Sequence, residues 1–82
     1  MQSEILYNRL MNQDFILDYN EELTSDNVEV VLFDDGVIEL QCKQDKTFIY
    51  TLSEESISNY QPISEKEIAI DYENEKLFIQ FV

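Results

Sequence analysis

VEVVLFDDGVIELQCK, residues 28–43, is the stretch on which the fold turns. Two runs rich in apolar residues, 28–33 and 37–43, flank Asp34-Asp35-Gly36, where the only glycine of the chain sits in an Asp-Gly pair. That pair favours a tight hairpin turn, because glycine carries no Cβ to clash at positive φ. In the second run Ile38, Leu40 and Cys42 alternate with Glu39, Gln41 and Lys43, the period of two of a strand with one buried and one wet face. In the first run the outward positions Val31 and Phe33 are still apolar, so that face is either partly covered or a contact surface.

Downstream, Gln44-Asp45-Lys46 reads as a turn and 47–52 as a third strand, with Phe48, Tyr50 and Leu52 continuing the buried set, so that three strands form a meander. Residues 53–64, SEESISNYQPIS, break the alternation and hold the lone proline; Ser53 suits the N-cap of a short helix near 53–60. Residues 67–72 and 76–82 are strands joined through Glu73-Asn74-Glu75. Ile68, Ile70 and Tyr72 alternate on the first, and the nearly continuous apolar run of the second predicts a central strand or one covered on both faces.

Upstream, Ser3 as N-cap, Glu4 beside it and Ile5, Leu6, Leu10 and Met11 on one broad face predict a helix over about 3–12. Phe15, Leu17 and Tyr19 share one side of an extended segment over 14–19, and NEELTSDN, residues 20–27, reads as a polar loop. The expected fold class is α+β: a single domain over 1–82 with an N-terminal helix packed on an antiparallel sheet of five to six strands.

A length of 82 residues suits one domain, and 44% hydrophobic content with five Phe and five Tyr excludes a disordered acidic tail. Eighteen acidic residues against five basic ones give a formal charge of −13. Direct binding to nucleic-acid phosphates or an anionic membrane is therefore disfavoured, and a charged partner should be basic. Like-charge repulsion also predicts a melting temperature that rises with NaCl, since salt screens charge over about 8 Å at physiological strength. Cys42 is the lone cysteine, so no internal disulfide is expected. The N-terminus has no basic region followed by an apolar stretch, and the apolar runs are short, so a cytoplasmic location is expected. Abundant Ile, Asn, Glu and Tyr points to an AT-rich bacterial or phage genome.

The constellations of catalysis are missing: the chain has no His, no Cys-His or Ser-His pair, no Gly-rich phosphate loop and one Arg. The expectation is no enzyme and no cofactor. The remaining route, a carboxylate cluster holding a divalent cation, is not met at Asp34-Asp35-Gly36, which lacks the D-x-D-x-D-G spacing of a calcium loop.

The placement of charge says more than its total. From residue 65 the odd positions read Glu65, Glu67, Ala69, Asp71, Glu73 and Glu75, an acidic comb on one side of a strand. Alternate strand residues lie about 6.6–6.8 Å apart, of the order of the phosphate repeat of a nucleic-acid strand. A charged strand face also guards against edge-to-edge pairing, so both a partner-binding and a solvated reading are open. An up-and-down meander would gather Glu21, Glu22, Asp26, Asp45, Glu73 and Glu75 at one end, and Asp34, Asp35, Glu54, Glu55 and Glu65 at the other. Tyr60, beside Pro62, reads as an exposed binding anchor, whereas Tyr7, Tyr19, Tyr50 and Tyr72 read as core or core edge.

The candidate partner-binding residues are thus Glu65, Glu67, Asp71, Glu73, Glu75, Asp34, Asp35, Glu21, Glu22 and Tyr60. In size, acidity and α+β make-up the chain is similar to phage-encoded DNA mimics and small inhibitors, such as the uracil-DNA glycosylase inhibitor, anti-restriction proteins and several anti-CRISPR proteins. That resemblance is one of class and carries over no residue. It implies a protein-binding inhibitor that blocks the nucleic-acid site of a basic enzyme. An immunity protein or antitoxin for a basic nuclease toxin would use the same physics. A structural homodimer built on Val31, Phe33 and the C-terminal strand, with charge serving solubility alone, is the third expectation.

Overall fold

The computed structural model describes residues 2–25, 27–43 and 47–82. Along them run α1 (Gln2–Asn12), β1 (Phe15–Tyr19), β2 (Glu22–Thr24), β3 (Val28–Leu32), β4 (Ile38–Lys43), β5 (Thr47–Leu52), α2 (Glu54–Ser58), β6 (Gln61–Ser64), β7 (Glu67–Tyr72) and β8 (Glu75–Phe81). The strands form two antiparallel sheets, one of five strands in the order β2-β1-β8-β7-β6 and one of three in the order β3-β4-β5. The α+β class, the N-terminal helix and an antiparallel sheet of five strands are as expected; the meander, however, is a sheet of its own. The physical reason lies in β8. Its apolar run takes the central place, with β1 on one side from Phe15↔Phe81 to Tyr19↔Leu77 and β7 on the other from Glu67↔Gln80 to Tyr72↔Glu75. The outer edges of β1 and β7 are then taken by β2 and β6, and the meander pairs with neither but shares the core with the larger sheet.

Period-two alternation aims both sheets at one core. Leu17, Ile68, Ile70, Leu77, Ile79 and Phe81 from the larger sheet meet Ile38, Leu40, Cys42, Tyr50 and Leu52 from the smaller. Leu6 and Leu10 of α1 and Ile57 of α2 complete it. In the meander, Ile38↔Leu52 and Leu40↔Tyr50 pair within the buried face, and Val31↔Glu39 and Gln41↔Ile49 within the outer one. Tyr50 is buried, and Tyr7, Tyr19 and Tyr72 pack partly buried at the core edge, as the sequence predicts. Among the described residues no helix is long and apolar enough to cross a membrane.

Several local readings change. Phe33 N–H donates to Val37 O at 2.9 Å and Gly36 N–H to Phe33 O at 3.0 Å, so the β3–β4 connection is a three-residue loop with Gly36 at φ +86°. Ser3 is not an N-cap: it lies inside α1, fully buried, and its hydroxyl donates to Gly36 O at 2.6 Å. The expected loop over 20–27 contains a tight turn and β2, because Leu23 and Thr24 find partners on β1. Ser53 does cap α2, its Oγ accepting from Ser56 N–H at 3.1 Å, but the segment after α2 is not loop alone: Gln61 to Ser64 pair with β7 as an exposed edge strand. The expected turn at Gln44-Asp45-Lys46 lies outside the described residues, as do Asp26 and Asp45 of the predicted acidic end.

Candidate functional site

Two hairpin turns fall side by side at one end of the larger sheet. Because β1 and β7 both run antiparallel to β8, they point the same way and end together where β8 begins. Each ends in a two-residue loop closed by a Tyr–Glu pair, Tyr19↔Glu22 around Asn20-Glu21 and Tyr72↔Glu75 around Glu73-Asn74. All four loop residues have positive φ, at 51° and 67° in the first loop and 47° and 66° in the second, the signature of type I′ turns. Such turns match the right-handed strand twist, yet here glutamate occupies a left-handed position in each, where a side chain costs about 1–2 kcal/mol.

The outcome is an acidic rim. Glu21 of the first turn and Glu75 beside the second line one shallow depression with Asp18, Asn20, Asn74, Lys76 and Phe78. Glu22 stands opposite Tyr19, and Glu73 is close enough to push the Tyr19 and Tyr72 hydroxyls upward in pKa. In both cases desolvation by burial is the larger cause. Glu21, Glu22, Glu73 and Glu75 therefore do share one end.

Tyrosines floor this rim. The Tyr19, Tyr50 and Tyr72 rings form a closed triangle with centroids 5.5 Å (Tyr19–Tyr50), 5.3 Å (Tyr19–Tyr72) and 5.4 Å (Tyr50–Tyr72) apart and interplanar angles of 69–77°. These are edge-to-face contacts, each worth about 0.5–1.5 kcal/mol beyond burial. Phe48 extends the set, edge-on to Tyr50 at 5.4 Å. Because Tyr50 comes from β5 while Tyr19 and Tyr72 come from β1 and β7, the triangle ties the two sheets together. Burial above all, then Cys42, Glu22, Tyr72 and Tyr19, pushes the Tyr50 hydroxyl up to about 12.

The comb is shorter than its sequence suggests. Only Glu67, Ala69 and Asp71 alternate on β7; Glu65 lies in the preceding turn, Glu73 in the following one, and Glu75 pairs with Tyr72 on β8. Ala69, 2% exposed, interrupts the row, so its two carboxylates stand four residues or about 13 Å apart, twice the phosphate-like spacing. Both are also engaged, Asp71 with Lys76 and Glu67 with Gln80 Nε2 at 3.2 Å. At the far end, Asp34 and Asp35 occupy the β3–β4 loop close to Glu54, whose side chain packs against Gly36. Glu65 does not join them: its carbonyl accepts from Arg9 Nη2 at 2.8 Å, at the other end of α1 from Ser3 and the Gly36 loop. Tyr60 is 39% exposed and, with Ile5, flanks a small cleft between α1 and α2, away from the acidic rim.

Counter-charges sit elsewhere. Arg9 stacks 3.8 Å above the Phe81 ring, Lys43 pairs with Glu29 at 2.6 Å, and Lys76, the one cation beside the rim among the described residues, is taken by Asp71. Among the described residues no group of three or more His, Cys, Asp or Glu is placed to hold a metal ion. No protein-family model, curated protein or solved structure matches this chain, so no residue role is carried over from a relative.

Sequence reasoning placed the rim carboxylates together but missed the tyrosine floor. A signal exists: Tyr19-Asn20-Glu21-Glu22 and Tyr72-Glu73-Asn74-Glu75 are the same Tyr-x-x-Glu hairpin written twice, with Asn and Glu exchanged at the loop.

Proposed function

We propose that this chain is a non-enzymatic protein ligand, an inhibitor of the phage or mobile-element kind, which docks its acidic rim on a basic partner and blocks that partner's nucleic-acid-binding surface. The observation that carries the reading is the convergence of Glu21, Glu22, Glu73 and Glu75 around Tyr19 and Tyr72 at one edge, with the adjacent Lys76 already neutralised. Carboxylates speed and orient the approach to a basic groove, and rigid aromatic rings supply contact area at low entropic cost once it is reached. An immunity protein directed at a basic nuclease would use the same surface.

The test is affinity capture from a bacterial lysate with the tagged chain at low and high salt. A nucleic-acid-binding protein that is retained, released by salt and displaced by its own DNA or RNA supports the reading. Recovery of the chain alone at low salt overturns it. A second reading, self-association, is favoured by one specific feature: on the outer face of the smaller sheet Val31 is half-buried while Ile49 is 45% exposed, and Phe33, at the strand end, is 43% exposed. Sedimentation equilibrium across salt concentrations separates the two, because a charge-repelled homodimer tightens with salt whereas rim docking weakens.

A further inference from the structure

The larger sheet is packed on one side only. Its inward residues, Leu17, Ile70, Leu77 and Ile79 among them, share the core with both helices and the smaller sheet, whereas Ile16, Leu23 and Phe78 belong neither to that core nor to the residues packed against it. Strand alternation turns these three to the opposite face. There the register draws one row across all five strands: Leu23↔Asp18, Asp18↔Phe78, Phe78↔Ala69 and Ala69↔Gln61. Leu23 is 66% exposed, Ile16 and Phe78 are half-buried, and Ala69 is buried. The open face of an antiparallel sheet is ordinarily polar, so an apolar row on it marks a contact surface.

Charge and area decide what covers it. Asp18 stands within the row between Leu23 and Phe78, Glu67 and Asp71 stand on either side of Ala69 along β7, and Glu21 lines the depression that Asp18 and Phe78 share with the acidic rim. Among the described residues the one cation on a strand of this face, Lys76, pairs with Asp71. A second copy would set these carboxylates against themselves. Five strands about 4.8 Å apart and about 20 Å long offer roughly 400 Å², half of the about 800 Å² that each partner buries in a stable complex, too little to offset that repulsion.

Taking the docking reading as its basis, we infer that this face seats an amphipathic helix of the basic partner, with apolar residues on Leu23, Phe78 and Ile16 and lysine or arginine flanks toward Asp18, Glu67 and Glu21. A helix is the element that adds a layer to a sheet with an open apolar face. The row spans four strand gaps, about 19 Å, the length of about 13 helical residues. Leu23 and Phe78 lie two gaps or about 10 Å apart, close to two helical turns, so apolar side chains about seven residues apart on one helix face reach both. The shared depression leads the same partner on to the acidic rim.

The test uses the full chain and a capped helical peptide of leucine and lysine, about 13 residues long, with its leucines on one face. The comparison peptide has the same composition with the leucines spread around the helix. The first peptide should bind at least about fivefold tighter, and in NMR spectra it should move the backbone amide signals of Asp18, Leu23, Ala69 and Phe78 while leaving Val31 and Ile49 in place. Leu23→Ser with Phe78→Thr should weaken binding roughly tenfold, whereas Phe33→Ser with Ile49→Thr, a similar apolar loss on the smaller sheet, should change it less than about twofold. Leu23→Ser by itself, at an exposed position, reads the same contact if the pair perturbs folding. Equal affinity for the two peptides, shifts that fall on the smaller sheet, equal losses in the two pairs, or dimerisation of the chain through Leu23 and Phe78 in sedimentation would each overturn the inference. Because the titration needs no natural partner, it can fail while lysate capture succeeds, and the reverse.

Discussion

Glu21→Gly tests whether the rim is maintained at a cost to stability. Glu21 occupies the second loop position of the β1–β2 turn at φ +67°, after Asn20 at +51°, and Asn-Gly is the dipeptide a type I′ turn favours. Relief of the left-handed conformation returns about 1–2 kcal/mol. Against it stands the greater unfolded-state freedom of glycine, about 0.5–1 kcal/mol. The net gain is about 0.5–1 kcal/mol, which for a domain of this size raises the melting temperature by about 2–8 °C. Removing a charge from a chain at −13 helps as well, so the comparison that isolates the backbone is Glu21→Gln, which loses the same charge but keeps the strained position.

Thermal unfolding followed by circular dichroism at fixed ionic strength should rank Glu21→Gly above Glu21→Gln, and Glu21→Gln at or slightly above the parent. The ranking for association with a basic partner should differ, both variants falling together below the parent, because there only the carboxylate counts. A glycine variant that melts no higher than the glutamine variant would refute the strain reasoning. A glycine variant that binds as fast as the parent would remove Glu21 from the docking surface.

Three further outcomes follow from the fold. A Cβ on Gly36 would stand 2.8 Å from Glu54 Cγ at φ +86°, so Gly36→Ala should cost about 1–2 kcal/mol in urea denaturation, and adding Glu54→Ala should restore only the part due to the close contact. Ser3→Ala removes the 2.6 Å hydrogen bond to Gly36 O in a buried setting and should destabilise by about 1–3 kcal/mol in the same assay. Tyr50, raised from 10.0 to about 12 chiefly by burial, keeps its proton longer folded than unfolded, so it contributes stability that is intact below pH 10 and lost as pH rises from 10 to about 12. Tyrosinate absorbance at 295 nm should show Tyr19 and Tyr72 ionising late and Tyr50 last, the final step accompanied by loss of near-ultraviolet ellipticity; ionisation of all tyrosines near 10 with the fold intact would contradict this.

What could be read from the chain was what neighbouring residues decide. The Ile38-Leu40-Cys42 alternation and the Asp35-Gly36 turn are local, and the meander stands where they placed it. The pairing of β1 with β8 joins residues 15–19 to 77–81, and nothing in either segment names the other, so the division into two sheets was hidden. Short β2 and β6 carry little apolar signal, because each is an edge strand held by its partner's backbone. Ser3 was misread because a hydroxyl near a helix start looks like a cap from sequence, and only the tertiary fold brings the Gly36 carbonyl to it. Charge was legible in amount and partly in place. The regular comb failed because β7 spans only Glu67–Tyr72, which leaves Glu65 and Glu73 in turns and Glu75 on β8, and because Ala69, opposite Phe78, breaks what remains.

The same non-local pairing makes the rim conditional on the whole fold. Tyr19, Tyr50 and Tyr72 belong to three strands of two sheets, and their triangle closes only when β1 has docked on β8 and the meander has closed over the core. Like charges around it repel one another when the fold closes. A ligand held by the folded state alone stabilises it in proportion to its occupancy, about 2.7 kcal/mol at a hundredfold excess over Kd. Docking of a basic partner at the rim would therefore be linked to closure of the two sheets. The proposed partner should raise the melting temperature of the parent at low salt, and should raise it less in Glu22→Gln with Glu75→Gln.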